Sequence, residues 1–258
     1  MGLENYIKKS LKNRGILVMT HIVLGYPSLS ANEEIIGEMI AGGVNLIEMQ
    51  IPFSEPVADG PVIVKANQSA IAKGIRVSSC FDFAARITRK YDIPFLFMTY
   101  YNIIFKYGPE NFLKKTKGCG IQGLIIPDLP PEEGEDFFAA CRSHGIDPIM
   151  IFSPTSSLER MKYLSGHGQG FIYCIARRGV TGHQTSFDKE FNTYIQRCRE
   201  ATTLPLAVGF GIKSKEDMAY LKGKADIGVI GTKTIKLVEQ KGVQAVSPFM
   251  RSLNVLVL

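Results

Sequence analysis

The sequence predicts an α/β protein built as one closed (βα)8 barrel. Three observations carry that expectation. Short runs of β-branched and apolar residues alternate eight times with amphipathic stretches. No Pro- or Ser-rich linker divides the chain, and the glycine-bearing segments cluster late, after the sixth, seventh and eighth strand runs. A doubly wound open sheet would place a Gly-rich phosphate turn directly after its first strand instead. At 258 residues the chain has the length of one TIM barrel, so a single domain over residues 1–258, with extra helices at the termini, is expected.

In chain order, the first strand run is 16–24, followed by a helical pattern over 32–41 that closes on Gly42. The second strand, 45–51, leads into a proline-stiffened segment, 52–61, and the next helical pattern is 81–91. Strand 94–100 precedes helix 109–117, which ends at Gly118, and strand 123–128 precedes helix 131–143, which ends near Gly145. Strand 148–152 pairs with helix 157–164, and strand 170–176 with helix 187–200. The seventh unit joins strand 205–209 to helix 214–221, where Ser214 and Asp217 have the spacing of a capping box. The last joins strand 227–231 to helix 232–240.

Composition excludes several classes of function. With 45% hydrophobic and 21% charged residues the chain is globular rather than disordered. Five cysteines, an odd number without a C-x-x-C pair, argue against a disulfide framework or zinc ribbon and for a reducing, cytoplasmic setting. The net charge of +6 is spread in small groups beside acidic residues, as on solvated helix faces. That pattern suits a phosphorylated metabolite better than nucleic acid. The opening MGLENYIKKS has no apolar stretch of the signal-peptide kind, and no apolar run is long enough to span a bilayer.

Chemistry in such a barrel sits at the carboxyl ends of the strands. In the second strand, period two sends Ile47, Met49 and Ile51 towards the helices and Leu46, Glu48 and Gln50 into the barrel. A carboxylate there is costly unless it is paired or titrates upward. Glu48 is thus either a structural group bonded to a neighbour or an acid/base. Asp59, on the stiffened segment that follows, is either a turn-forming Asp before Gly60-Pro61 or a second carboxylate held over the strand.

Phosphate is the other thread. Arg177 to Gly182, Gly209-Phe210-Gly211-Ile212 and Gly231-Thr232 follow the last three strands, where glycine backbones and a helix N-terminus suit an anion. His21 reads as a packed core histidine, and His144, His167 and His183 show no metal-ligand spacing. Tyr100 and Tyr173 end or lie in strands, where aromatics usually fill core and less often line a pocket. No Ser–His–Asp or Cys–His set, Walker A loop or dinucleotide fingerprint is present.

These residues resemble the tryptophan synthase α-subunit family over most of the chain, from Leu24-Gly25-Tyr26-Pro27 to Gly231-Thr232. The most specific segments are Leu46 to Pro61, containing PFSEPVADGP, and Ile126-Pro127-Asp128-Leu129-Pro130-Pro131. The resemblance implies retro-aldol cleavage of indole-3-glycerol phosphate to indole and glyceraldehyde 3-phosphate in tryptophan biosynthesis. It assigns Glu48 as general acid/base, Asp59 as the partner of the indole N–H, and Tyr173 as their neighbour. Gly182, Gly211, Gly231 and Thr232 would cradle the phosphate, while Ile125, Ile151, Phe210 and Tyr100 would line the substrate pocket.

The same resemblance implies no metal or organic cofactor on this chain. The implied partner is a pyridoxal-phosphate β subunit in an α2β2 complex, with Glu55, Arg177 and Thr181 on the lid and partner loops. Intact Glu48 and Asp59 favour catalysis over a barrel that only binds and activates the β subunit. Four positions depart from the family pattern: Gln50 for a small glycine, Glu55 for Asp, Arg178 for a small residue and Tyr26 for a frequent Asp.

Overall fold

A computed structural model describes residues 2–175, 189–209 and 211–253, in which eight parallel strands close into a barrel in chain order. The strands are β1 (Leu17–Val23), β2 (Leu46–Gln50), β3 (Phe95–Met98), β4 (Gly123–Ile125), β5 (Asp147–Phe152), β6 (Ile172–Ile175), β7 (Leu206–Gly209) and β8 (Ile227–Ile230). The helices are α1 (Leu3–Leu11), α2 (Leu29–Ala41), α3 (Pro61–Ala72), α4 (Val77–Lys90), α5 (Tyr101–Tyr107) and α6 (Pro109–Gly118). They continue with α7 (Pro131–Ser143), α8 (Leu158–His167), α9 (Lys189–Ala201), α10 (Lys215–Leu221), α11 (Thr232–Lys241) and α12 (Val246–Leu253).

Strand alternation sorts the apolar residues into two cores. Ile47 and Met49 of β2, with Phe95 and Phe97 of β3, join the layer between barrel and helices. Leu17, Met19, Leu46, Leu96, Ile125, Ile149, Ala207, Ile227 and Val229 fill the barrel interior. Helix α1 seals the amino-terminal end, because Leu3 and Ile7 are fully buried and belong to this inner cluster. Burying each contributes on the order of 1.5–3 kcal/mol. With its lower end packed, the barrel is a floor for chemistry at the opposite rim.

Each predicted strand has a counterpart, with ends displaced by up to three residues. The largest change is β4, which stops at Ile125 because Pro127 has no N–H to continue the ladder. Helices α3 and α5 escaped the sequence reading. In α3 the buried face is Ile63, Ala66, Asn67 and Ala70, a stripe too small and polar to stand out as apolar periodicity. Helix α5 spans only seven residues. The capping box at Ser214 and Asp217 is present.

Left-handed glycines lie beside, rather than at, two of the expected caps. Gly145 has φ 65°, but the residues after α2 and α6 in that conformation are Gly43 (φ 87°) and Gly120 (φ 74°). Gly42 is small for another reason: a Cβ there would lie 2.5 Å from Met250 Cβ, where α12 crosses the end of α2.

The loop after β1, which contains a cis Tyr26–Pro27 bond, is held by the fully buried Asn32. Asn32 accepts the Gly25 N–H at 2.7 Å and donates to the carbonyls of Tyr26 (2.7 Å) and Val23 (3.3 Å). All five cysteines are buried free thiols. Among the described residues, no helix is long and apolar enough to cross a membrane.

Candidate active site

The carboxyl-terminal rim of the barrel gathers a small polar group above the inner apolar core. Glu48 and His21 are register partners on neighbouring strands, and both point inward. Glu48 Oε1 lies 3.0 Å from His21 Nδ1, with the two side chains 4% and 7% exposed. His21 is therefore not an isolated core histidine, as its apolar strand suggested, but the partner that permits a carboxylate inside the barrel. Burial opposes charge on the ring, yet the adjoining Glu48 carboxylate, more distant Asp59 and the Gln50 amide together raise the His21 pKa above its usual value.

Gln50, the next inward residue of β2, donates from Nε2 to Asp59 Oδ2 at 2.7 Å. Tyr100 donates its hydroxyl to the same oxygen at 3.1 Å, and its oxygen accepts the Ala58 N–H at 3.1 Å. Phe53 stacks on the Tyr100 ring with centroids 5.1 Å apart. Asn67 of α3 accepts the Phe53 N–H at 2.9 Å. The segment from β2 to α3 is thus tied to the barrel wall at both ends, and Asp59 is buried over Gln50. Burial is the main cause of the rise in the Asp59 pKa; it outweighs His21 charge and the Gln50 and Tyr100 hydrogen bonds, which act the other way.

Tyr100→Phe tests this attachment. It removes one donor to Asp59 and strands the Ala58 amide, so kcat/KM should fall by about tenfold, with a melting temperature lower by a few degrees. Steady-state kinetics and a thermal melt check both effects.

Tyr173 of β6 stands beyond these groups. Burial first, then the fields of Glu48 and Asp59, push its pKa far up, so the phenol stays protonated. Gly209 accommodates it, since a Cβ there would come within 2.5 Å of the Tyr173 hydroxyl oxygen. Ile151, the register partner of Tyr173 on β5, and Ile125 of β4 join the inner cluster, giving the rim an apolar side.

Gly211 has φ 96°, a conformation that L side chains rarely adopt, and Gly231 precedes Thr232 at the first turn of α11. No side chain caps that helix start, which leaves backbone donors for an anion. Gly182, Arg177, Thr181, Arg178 and Phe210 lie outside the described residues. Among the described residues no cluster of three or more His, Cys, Asp or Glu side chains could hold a metal ion.

Sequence reasoning brought Glu48, Asp59 and Tyr173 to this rim. It missed the pairing of His21, whose only available signal was its inward parity opposite Glu48. It also lacked the anchoring of Asp59 by Gln50 and Tyr100, because contacts between a loop and two strands have no local sequence signature.

The family profile described as tryptophan synthase alpha chain matches residues 7–254. The tryptophan synthase alpha chain of Desulfotalea psychrophila is 60% identical over 254 residues, covering 98% of this chain and 100% of that protein. A solved structure from Aquifex aeolicus VF5 superposes with a TM-score of 0.91 at 30% identity, covering 98% of both chains. A chain of the tryptophan synthase complex from Pyrococcus furiosus superposes with a TM-score of 0.85 at 26% identity, covering 93% of this chain and 98% of that one.

Proposed function

The chain belongs to the tryptophan synthase alpha chain family, and from that premise we propose that Glu48 and Asp59 carry out its lyase reaction. That reaction cleaves indole-3-glycerol phosphate to indole and glyceraldehyde 3-phosphate. The observation that carries this assignment is the pair of buried carboxylates at the barrel rim, each held through one oxygen, Glu48 by His21 and Asp59 by Gln50 and Tyr100.

Glu48 Oε2 is buried without a hydrogen-bond partner among the described residues, so it is the oxygen left to exchange protons. The carboxylic acid form delivers a proton to carbon 3 of the indole ring. The glycerol hydroxyl beside the breaking carbon–carbon bond then gives its proton back to Glu48, its oxygen becomes the aldehyde, and the bond's electrons return to the ring. The enzyme ends with the proton count it began with. Asp59 accepts the indole N–H and offsets the positive charge that protonation places on the ring. Gly211, Gly231 and Thr232, with Gly182, hold the phosphate and so fix the reacting bond. Ile125 and Ile151, with Phe210, face the indole, and the Tyr173 phenol closes the far side of Glu48.

Glu55 and Val57 are exposed on the segment between β2 and α3, Val57 to 73%. That exposure supports docking of a tryptophan synthase β subunit there, in an α2β2 complex that receives the indole. Mixing the chain with β subunit should give a species of two chains of each kind in size-exclusion chromatography. Product analysis should find indole and glyceraldehyde 3-phosphate; faster turnover of a phosphosugar lacking indole would replace the assignment with another phosphosugar reaction.

A further inference from the structure

We propose that His21 is a positioning residue for the acid/base carboxylate: it grips Glu48 Oε1 through Nδ1, turns Oε2 to the substrate, and lets one proton be shared across the pair. The inference rests on the reading of Glu48 as the proton-exchanging group and adds the device that orients it.

Four observations support this role. His21 and Glu48 are partners in the β1–β2 ladder, so their approach is set by the sheet rather than by a mobile loop. Their 3.0 Å contact uses one polar atom of each, while Glu48 Oε2 and His21 Nε2 are buried with no partner among the described residues. Leaving such atoms unsatisfied costs about 1–3 kcal/mol each; an apolar side chain at position 21 would remove the orphaned Nε2 but strand Glu48 Oε1 in its place, so the histidine is tied to the carboxylate rather than to packing. Third, the ring is backed by the β8–α11 junction: a Cβ built on Gly231 would lie 3.3 Å from His21 Cβ and 3.7 Å from Cγ. The imidazole is therefore wedged between the acid/base and the glycine proposed to hold phosphate.

The fourth is the set of groups around the ring. β2 contributes the Glu48 carboxylate and the Gln50 amide, and the segment before α3 contributes Asp59. Gly231 and Thr232 add no titratable group, and Tyr173 of β6 faces both carboxylates as a neutral phenol. The carboxylates of Glu48 and Asp59 thus act together on the imidazole and favour its protonated form. Its raised pKa means the proton is bound below that value and lost as pH rises through it. The imidazole proton is therefore given up at a higher pH than an ordinary histidine would release it.

The test is the pH profile of indole release by wild type, His21→Phe, His21→Asn and Glu48→Gln. His21→Phe should lower kcat on the order of 10- to 100-fold with little change in KM, and should displace the alkaline limb. His21→Asn supplies an amide donor near the position of Nδ1; it should recover most of kcat without restoring that limb. A His21→Phe enzyme with wild-type kcat and an unchanged profile overturns the proposal, as does an Asn variant that retains the wild-type alkaline limb. If Glu48→Gln is inactive while His21→Phe is unaffected, only the positioning role fails. If Glu48→Gln keeps full turnover, the acid/base reading itself fails. Proton NMR of the wild-type protein reads the same point without a His21 variant: the His21 ring should titrate above 6.5, and in Glu48→Gln its titration should move down. Titration at or below 6.5 in the wild type contradicts the proposal.

Discussion

Glu48→Gln should reduce kcat for indole release by about 10³-fold, within the range attributed to a single general acid/base. The amide keeps the volume of the side chain and still offers an oxygen to His21, so the β1–β2 register and the inner core are undisturbed. What it cannot do is deliver a proton to the indole ring and recover one from the glycerol hydroxyl. KM should change little, because the apolar wall and the glycines proposed to hold the phosphate are separate from this carboxylate. A melting temperature within a few degrees of wild type, measured on the same preparation, separates lost chemistry from lost fold.

Asp59→Asn is expected to lower kcat by about 10²–10³-fold through loss of the negative charge beside the ring nitrogen. Its effect on stability should run the other way. The pKa of Asp59 is raised by burial in the folded chain, so the folded state holds that proton more tightly than the unfolded state does. Above the raised value the buried charge costs stability; below the ordinary value of 3.8 the group is neutral in both states and the cost is gone. At about pH 8 the Asn variant should therefore melt at or above the wild-type temperature, and the gap should close as pH falls towards 4. A variant that is less stable at alkaline pH, with a deficit that grows as pH rises, would contradict this account of Asp59.

The inner and outer faces of β2 were legible because strand alternation is local and a lone Glu among apolar residues stands out. The PFSEPVADGP segment was legible by its likeness to a family. The same local patterns put the ends of α2 and α6 at Gly42 and Gly118 but misplaced their left-handed turns, which come one or two residues later at Gly43 and Gly120. Helix α3 was hidden because its inward face uses alanines and an asparagine, and Asn67 serves the Phe53 amide rather than a hydrophobic contact. His21 was read as core because β1, apart from Thr20, is otherwise apolar; its partner is 27 residues away in sequence and adjacent only across the sheet. Gln50, noted as a departure at a crowded inward position, takes its meaning from Asp59, which the fold brings back over it.

The central claim is that this barrel breaks the carbon–carbon bond of indole-3-glycerol phosphate with its own buried carboxylates. The direct measurement is product formation by the purified wild-type chain from that substrate alone, with indole and glyceraldehyde 3-phosphate quantified together. Release of the two in a one-to-one ratio, abolished in Glu48→Gln, is the predicted result. Absence of both products from a folded chain, or equal release by wild type and Glu48→Gln, would contradict it.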